Sequence, residues 1–444
     1  MASLDSPDFS LFQPIGDEAT MGREETQGIF RGFGLGLSTN RDAWVHNFSR
    51  DSLRVHLTRS IAHYNSVVED WKAHRSAMPV VGTDDHLKFI PPDDQEFTWE
   101  EQNKADLKHG RTIDFHPEYL RASLYRPFVR QDLYFDPTGR LTARPHIVPA
   151  LFPATGYANR CIVVSADKNT GVSVLVTNLA PNLHLLDNNQ VFAFYTYEAL
   201  NSTEAARSAS DGDVVGDYVR RENITDATLA GYRAAYADDA ISKWDIFHYV
   251  YAVLHHPSYR EICRSDLQKQ LPRIPQLANF WQFAQAGETL VELHLKYESQ
   301  EPYPLEDVHA SSEPLDERAK FNYYRVGGAM SWTPDRDHSE LRFNRNLTLT
   351  GFPPEAQDYQ LCGKSAVEWV CEHYTCSQDS KSGIWNDAND LRIDGNDYRV
   401  SADDARRIVD LIGRVASVSV ETVRIASTLP SYEQLEQQVW GRES

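Results

Sequence analysis

Three short runs of β-branched and aromatic residues near the middle of the chain constrain its fold most. They are Cys161-Ile-Val-Val-Ser165, Val172-Ser-Val-Leu-Val-Thr177 and Val191-Phe-Ala-Phe-Tyr-Thr-Tyr197, and turn residues separate them. Runs of this length and composition between turn signals are typical of β-strands. They predict a mixed sheet over about residues 119–200.

Segments with helical spacing lie on both sides of this predicted sheet. Before it, apolar residues recur every three or four positions from Leu53 to Trp71, behind the N-capping residue Ser49. After it, Thr225 can cap a helix, and amphipathic segments follow at about residues 244–254, 281–297, 365–374 and 405–426. We therefore predict an α+β fold, in which a mixed β-sheet core is followed by a helical region and a C-terminal helix.

Other segments are predicted to be connections. Residues 1–27 are polar and form a predicted lead-in or linker, and residues 431–444 a tail. Residues 201–217, rich in Ser, Ala, Asp and Gly, predict a loop. Seven acidic residues and three prolines make residues 298–317 a predicted exposed connection. A further strand is predicted at residues 343–349.

Composition places the chain among soluble proteins. Its 444 residues are 24% charged, and no run is apolar enough to span a bilayer, so no membrane partner is expected. The five cysteines are odd in number and irregularly spaced, which argues against a disulfide framework. We predict a cytoplasmic location.

The distribution of charge singles out one segment. The formal net charge is −20, which argues against a non-specific DNA-binding protein. Residues 120–144, the basic segment, instead carry five arginines against two aspartates, interleaved with aromatic rings. This pattern suits contact with a polyanion. It equally suits arginines that cover the edge of a core, which by composition alone is the commoner arrangement.

Motifs for catalysis are weak. Phe30-Arg-Gly-Phe-Gly34 matches the F-x-G-x-G loop that wraps S-adenosylmethionine in amino-methyltransferases, but the residues before it are polar and the companion Pro-Pro-aromatic motif is absent. There is no phosphate-binding Gly-x-x-x-x-Gly-Lys-Ser/Thr, no Gly-x-Ser-x-Gly, and no histidine or cysteine group at metal-ligand spacing. We predict no catalytic residue, metal or cofactor on this chain, and no catalysis by it alone.

Recognition chemistry remains. Arginine is the commonest bidentate partner of guanine, asparagine pairs with adenine, and aromatic rings suit bases or sugar edges. The predicted DNA-binding residues are Asn40, Arg41, Lys104, Lys108, Arg111, Arg121, Tyr125, Arg126, Arg130, Arg140 and Arg144.

Several longer stretches resemble one family. They include Thr39-Asn-Arg-Asp-Ala-Trp-Val-His-Asn-Phe-Ser49, Pro181-Asn-Leu-His-Leu-Leu-Asp187 and Gly363-Lys-Ser-Ala-Val-Glu-Trp369. Residues 123–136, 245–255, 271–275, 297–304, 381–387 and 418–423 continue the match in order, from about residue 28 to 430. Together they are similar to the C-terminal part of type ISP restriction-modification enzymes. Those are single polypeptides joining a nuclease, a helicase-like ATPase, a coupler, an adenine amino-methyltransferase and a target-recognition domain.

The resemblance implies an organisation and a function. Residues 28–115 would be the methyltransferase tail and a helical connector, and residues 116–430 the DNA specificity domain. The chain would bind double-stranded DNA sequence-specifically and position an adenine methyltransferase and its coupled ATP-dependent nuclease. S-adenosylmethionine, ATP and Mg²⁺ would be bound only by the upstream domains.

Two other functions stay open. One is a small S-adenosylmethionine-dependent DNA methyltransferase that uses residues 30–34. Binding of S-adenosylmethionine by the isolated chain would reveal it. The other is an acidic protein that regulates a restriction system through its protein partner, which would bind that partner and no DNA at low salt.

Overall fold

The computed structural model describes residues 9–23, 26–78, 82–92, 95–200, 212–309, 322–333, 338–390, 404 and 406–430. The helices in these ranges are α1 Asp42–Val45, α2 Arg50–Ala77, α3 Glu101–His109, α4 Val148–Leu151, α5 Asp226–Tyr236, α6 Lys243–His255, α7 Pro257–Ile262, α8 Arg264–Leu267, α9 Phe280–Leu295, α10 Glu355–Asp358, α11 Ala366–His373 and α12 Arg407–Ser427. The predicted tail, residues 431–444, lies outside the described residues.

The strands are short. They are β1 Gln13–Pro14, β2 Gly34–Leu35, β3 His46–Asn47, β4 Leu120–Arg126, β5 Val129–Tyr134, β6 Cys161–Asp167, β7 Gly171–Thr177, β8 Ala180–Pro181, β9 Gln190–Ala193, β10 Tyr195–Ala199, β11 Asp213–Val215, β12 Tyr218–Glu222, β13 Arg273–Ile274, β14 Glu306–His309, β15 Ser331–Trp332, β16 Glu340–Arg342, β17 Leu347–Thr350, β18 Gln360–Leu361, β19 Lys364–Ser365, β20 Cys376–Gln378 and β21 Trp385–Asp387. The mixture of helices and sheets confirms the predicted α+β class.

The strands between residues 119 and 200 form more than one sheet. One four-stranded antiparallel sheet has the order β2-β9-β6-β7. A second has the order β3-β5-β4-β8 and is mixed, because β4 and β8 run parallel. Strand β10 leaves these two sheets and pairs with β12 instead. The single predicted sheet is therefore divided, since short turns let neighbouring strands join different partners.

Helix α2 confirms the helix predicted from apolar spacing. The Ser49 hydroxyl accepts a hydrogen bond from the Ser52 amide, so it satisfies one of the free N–H groups of the first turn. Its apolar side packs Leu53, Tyr64 and Trp71 into a core shared with strands β4 and β5. Residues from both sides of position 116 thus contribute to one core, and the predicted division of the chain there stays a prediction.

A second core holds the central helices. Helices α6 and α9 pack closely, and α6 also covers the β6–β7 sheet, where the Tyr251 hydroxyl accepts from the Val176 amide at 3.1 Å. The C-terminal helix α12 joins both cores, because Ile412 lies in the first and Ile425 in the second. It confirms the predicted C-terminal helix.

Part of the predicted lead-in is built into the fold. Strand β1 pairs with β13, and Phe9 and Ile15 are buried in the second core. Of the predicted loop 201–217, residues 201–211 lie outside the described residues and residues 213–215 form strand β11. In the described ranges, no helix is both long and apolar enough to cross a bilayer.

A third sheet corrects two predictions from the sequence. It has the order β14-β17-β16-β15 and is antiparallel throughout. Strand β14 lies inside the acid-rich segment predicted to be an exposed connection. The predicted strand 343–349 is wrong in its first half, because residues 343–346 form the turn between β16 and β17. We call these four strands the outer sheet.

Candidate nucleic-acid interface

The outer sheet has one buried face and one open face. Leu341, Leu347 and Leu349 point into the first core, as strand alternation requires. On the other face, the paired positions Val308, Thr348, Arg342 and Ser331 form one row across all four strands. This row places an arginine at the centre of an exposed surface.

The turn between β16 and β17 is held by one asparagine. The Asn344 side-chain oxygen accepts hydrogen bonds from the amides of Asn346 and Leu347, at 2.8 and 2.9 Å. Its side-chain nitrogen donates to the carbonyls of Tyr323 and Arg325, at 2.7 and 3.0 Å. Asn344 therefore ties the 322–329 loop to the turn, and all its usual hydrogen-bonding positions are used.

An open groove of about 1010 Å³ lies between this loop, the turn and strand β14. Its polar lining consists chiefly of three arginines, one histidine and three asparagines, which are Arg325, Arg342, Arg345, His309, Asn322, Asn344 and Asn346. No aspartate or glutamate is among the described residues that line it. We call it the basic groove. In a chain of net charge −20, a groove whose described lining carries arginines and no carboxylate is suited to an anionic ligand.

Two of the arginines are available to a ligand. Arg342 and Arg345 are both exposed, and neither side chain forms an ion pair or hydrogen bond with another described residue. Arg325 is exposed as well, and its Nη2 lies 3.3 Å from Asp387 Oδ2. The two unpaired guanidinium groups can each offer a bidentate pair of donors to a phosphate or a base edge.

The back of the outer sheet is fixed by buried polar contacts. Asp307 pairs with Arg406 at the start of α12 and accepts a hydrogen bond from the Tyr324 hydroxyl at 2.9 Å. Asn389 accepts from the Val326 amide and donates to the Val326 carbonyl, both at 2.9 Å. These contacts hold the groove walls in one arrangement before any ligand binds, which lowers the entropy cost of binding.

The predicted DNA-binding residues lie elsewhere, and two of them are buried. Arg41 is 5% exposed, and its Nη2 donates to Asn103 Oδ1 at 2.8 Å. Arg121 is 8% exposed, donates to the Phe152 carbonyl and lies over the Phe135 ring. Burial lowers the pKa of Arg121 to about 10. Both side chains have structural partners in this arrangement.

Tyr125 and Arg126 form a packed pair. The Arg126 guanidinium lies 4.0 Å from the Tyr125 ring centroid and donates to the Tyr125 carbonyl and to Asn182 Oδ1. The Tyr125 hydroxyl donates to Asp42 Oδ2 at 3.0 Å. Burial, followed by the Asp42 carboxylate, raises the pKa of Tyr125. The pair lies at the C-terminal end of strand β4.

Most of the other predicted residues are neutralised by acids. Arg111 and Arg140 both pair with the buried Asp106, Lys104 with Glu101, and Arg130 with Glu298. The remaining three differ, since Asn40 accepts a hydrogen bond from Ser38, Lys108 is half-buried, and the exposed Arg144 side chain has no polar partner within the described ranges. Contact of these residues with DNA stays a prediction. The structure brings Arg41, Arg111 and Arg140 together around Asn103 and Asp106 of α3.

The basic groove was missed from the sequence. The available signal was Arg342-Phe-Asn-Arg-Asn346, which places two arginines and two asparagines within five positions. Most of this cluster overlaps the predicted strand at residues 343–349, and none of it belongs to the basic segment, so the sequence alone does not mark it as a binding site. Neither Glu306 nor Asp307 is among the described residues that line the groove, and Asp307 is turned to Arg406 on the other side of the sheet.

The glycine-containing segment at residues 30–34 is packed in the second core. Phe30 and Phe33 contact Phe192, at ring-centroid distances of 5.5 and 5.0 Å. The Gly32 amide donates to Asn223 Oδ1 at 2.9 Å. Within the described residues, no group of three His, Cys, Asp or Glu side chains is placed to hold a metal ion.

Three solved structures are similar to this chain over nearly its whole length. A nuclease-deletion mutant of the type ISP restriction-modification enzyme LlaGI, in complex with a DNA substrate mimic, superposes with a TM-score of 0.74 and 25% identity, over 95% of this chain and 34% of that one. The DrdV–DNA complex gives 0.77 and 30%, over 96% and 38%. The ATP-dependent type ISP enzyme LlaBIII bound to DNA gives 0.75 and 22%, over 96% and 24%.

The chain thus spans between 24% and 38% of these three longer chains. No curated protein matches it significantly. The family model of the type ISP C-terminal specificity domain matches residues 28–411, which is most of the chain. The chain therefore belongs to the type ISP C-terminal specificity domain family.

Proposed function

We propose that this chain recognises a specific sequence in double-stranded DNA for a type ISP restriction-modification system, and that the basic groove is where it contacts the duplex. The observation that carries the proposal is a groove with two exposed, unpaired arginines and no lining carboxylate among its described residues. The enzymes of similar fold were solved bound to DNA or to a DNA mimic, which supports the same ligand.

The geometry suits both parts of DNA recognition. Arg345 projects from the tip of a tight turn, where it can reach a phosphate or enter a groove of the duplex. Arg342 lies on the open face of the sheet, and the exposed Asn322 stands nearby on the loop. Arginine and asparagine are the side chains that form bidentate contacts with guanine and adenine. Phosphate contacts would set the position of the chain, and base contacts would give specificity.

The same proposal assigns chemistry to other parts of the system. The chain would position an adenine amino-methyltransferase and a helicase-like, ATP-dependent nuclease on the site that it recognises. S-adenosylmethionine, ATP and Mg²⁺ would be bound by those parts, and this chain would carry out no catalysis alone. Purified chain should then bind the duplex without any of these cofactors present.

The test is selection of a binding site followed by salt titration. The full chain is mixed with a pool of randomised duplexes at low salt, and one asymmetric sequence should be enriched. Binding of that duplex is then measured at several salt concentrations for wild type and for the double variant R342A/R345A. Because each phosphate contact adds about 0.9 to the slope of log affinity against log salt, losing two contacts should lower the slope by about two.

The control removes the same charge elsewhere. R264A/R424A deletes two exposed arginines that pair with Glu261 and Glu421, away from the basic groove. It should leave the slope close to that of wild type. A chain that binds no duplex at low salt would disprove the proposed function. Equal slopes for the two double variants would instead show that DNA is contacted elsewhere.

A further inference from the structure

A β-hairpin borders the basic groove. Strands β20 and β21 pair antiparallel, with Cys376 opposite Asp387 and Gln378 opposite Trp385. The hairpin is joined to the groove wall through Asp387, which pairs with the groove residue Arg325. The neighbouring Asn389 binds the backbone of Val326. The hairpin and the groove are therefore parts of one surface.

Trp385 lies on the hairpin face that carries Asp387, the partner of the groove residue Arg325. Side chains two positions apart on a strand project from the same face, so Trp385 shares the face of Asp387. Its side chain belongs to the exposed large hydrophobic groups, at 53% relative exposure. Its ring contacts no aromatic ring among the described residues. A half-exposed indole on the strand whose Asp387 pairs with the groove residue Arg325 is not explained by packing of the core.

The backbone beneath this indole is held by hydrogen bonds. The Asn47 side chain donates to the Trp385 carbonyl at 3.1 Å, and the Phe48 amide donates to Asn386 Oδ1 at 3.1 Å. At the turn of the hairpin, Asp379 accepts from the amides of Lys381 and Ser382. Trp385 is thus held out from a fixed support rather than from a loose loop, which reduces the entropy lost when it contacts a ligand.

We propose that Trp385 contacts the DNA bases directly, by stacking on or between bases of the duplex bound in the basic groove. This inference rests on the proposed function. The arginines attract the phosphates, and Trp385 supplies an apolar surface that phosphates cannot use but bases can. Apolar side chains that enter a base step unstack it and bend the duplex, so the site would favour steps that unstack easily.

The first measurement is the affinity of Trp385 variants for the selected duplex. Stacking on a base is lost with alanine, so W385A should bind about 5- to 100-fold more weakly than wild type. W385F keeps an aromatic ring and should recover most of the affinity. Because no charge changes, the salt slope of W385A should equal that of wild type, which separates it from R342A/R345A. W281A removes another partly exposed tryptophan, on α9, and should bind as wild type does.

The second measurement locates the contact. Duplexes carrying 5-iodouracil at successive positions are irradiated with the full chain, and crosslinked peptides are identified by mass spectrometry. A crosslink to Trp385 is expected at one or two adjacent positions, and W385A should lose it. Urea unfolding checks that W385A keeps the wild-type stability, and W385Q replaces it if it does not.

The outcomes distinguish the two proposals. If wild type binds a duplex and R342A/R345A weakens binding, but W385A binds normally and no crosslink reaches Trp385, the inference about Trp385 is wrong and the proposed function stands. If wild type binds no duplex, both are wrong. The next experiment would then test whether Trp385 contacts another protein.

Discussion

Among single residues, the contrast between Arg126 and Arg130 shows how surroundings decide what an arginine does. Both belong to the β4–β5 hairpin, four positions apart. Arg126 is half-buried, packed on Tyr125 and hydrogen-bonded to a carbonyl and to Asn182. Arg130 pairs with Glu298, and these two side chains are 50% and 42% exposed. The sequence alone presents them as equivalent.

We expect their alanine variants to differ in stability. R126A removes charge-assisted hydrogen bonds from a partly buried position and should lower the free energy of unfolding by about 1.5–3 kcal/mol. R130A removes a solvent-screened ion pair and should cost less than about 1 kcal/mol. Urea unfolding of the two variants, followed by circular dichroism, measures both. An R130A variant that is less stable than R126A would contradict this assignment of structural roles.

At the scale of elements, the contact between helices α6 and α9 depends on one glycine. A Cβ atom added to Gly287 would lie 1.8 Å from the carbonyl oxygen of His248, a distance that backbone atoms cannot accept. G287A should therefore push the helices apart and lower the free energy of unfolding by about 1–3 kcal/mol or more. Thermal unfolding of the variant, followed by circular dichroism at 222 nm, is the measurement.

Gly231 provides the matched control on helix α5. It is exposed, its added Cβ would meet no atom within 4 Å, and it lies in the same kind of regular helix. G231A should raise stability by about 0.5–1 kcal/mol, since alanine is the better helix former. Two alanine variants that change stability in the same direction would argue against the close helix contact.

Elements with strong local signals were predictable. Helix α2 has a capping serine and a regular apolar repeat, and α12 has apolar residues at every turn, so their existence follows from local patterns. Strand partners were not predictable, because the residues of a strand do not show which strand it will pair with: β4 pairs with β5 and β8, whereas β6 pairs with β7 and β9. The outer sheet was missed because β15 and β16 contain only two and three residues, too few to show alternation.

The candidate site was less predictable than the fold. The basic segment was chosen for its charge, yet charge along a sequence does not show which acids will lie opposite in space. Arg130 finds Glu298 and Arg140 finds Asp106, each distant in the chain. By contrast, neither Arg342 nor Arg345 forms an ion pair with a described acid. This holds although Glu340, the first residue of β16, lies only two positions before Arg342. That difference depends on tertiary structure alone.

For the whole molecule, buried histidines predict sensitivity to acid. Burial lowers the pKa of His46 to about 4 and that of His255 to about 3, and it holds the pKa of His294 well below its usual value. In the unfolded chain these groups bind protons below about pH 6.5. In the folded chain His46 binds its proton only near pH 4, and His255 and His294 also bind theirs well below the usual range. The unfolded state thus gains protons first, and stability must fall as pH decreases through this window.

The expected size can be measured directly. Each such histidine contributes a slope of up to ~1.4 kcal/mol per pH unit between about pH 6 and 4.5. Urea unfolding at pH 7, 6 and 5 should show the fall, and H46Q should give a shallower dependence than wild type. A free energy of unfolding that is constant from pH 7 to pH 5 would show that these histidines become protonated in the folded chain.

The contacts behind the outer sheet also define which segment of the chain would have to be exchanged with a relative in order to alter target preference. A graft bounded at residues 306 and 350 would sever the Asp307–Arg406, Arg325–Asp387 and Val326–Asn389 contacts together. A graft from 306 to 406 would carry all three, with the hairpin that holds Trp385. Under the proposed function, the segment to exchange is therefore residues 306–406, and hybrids cut at the borders of the outer sheet should misassemble.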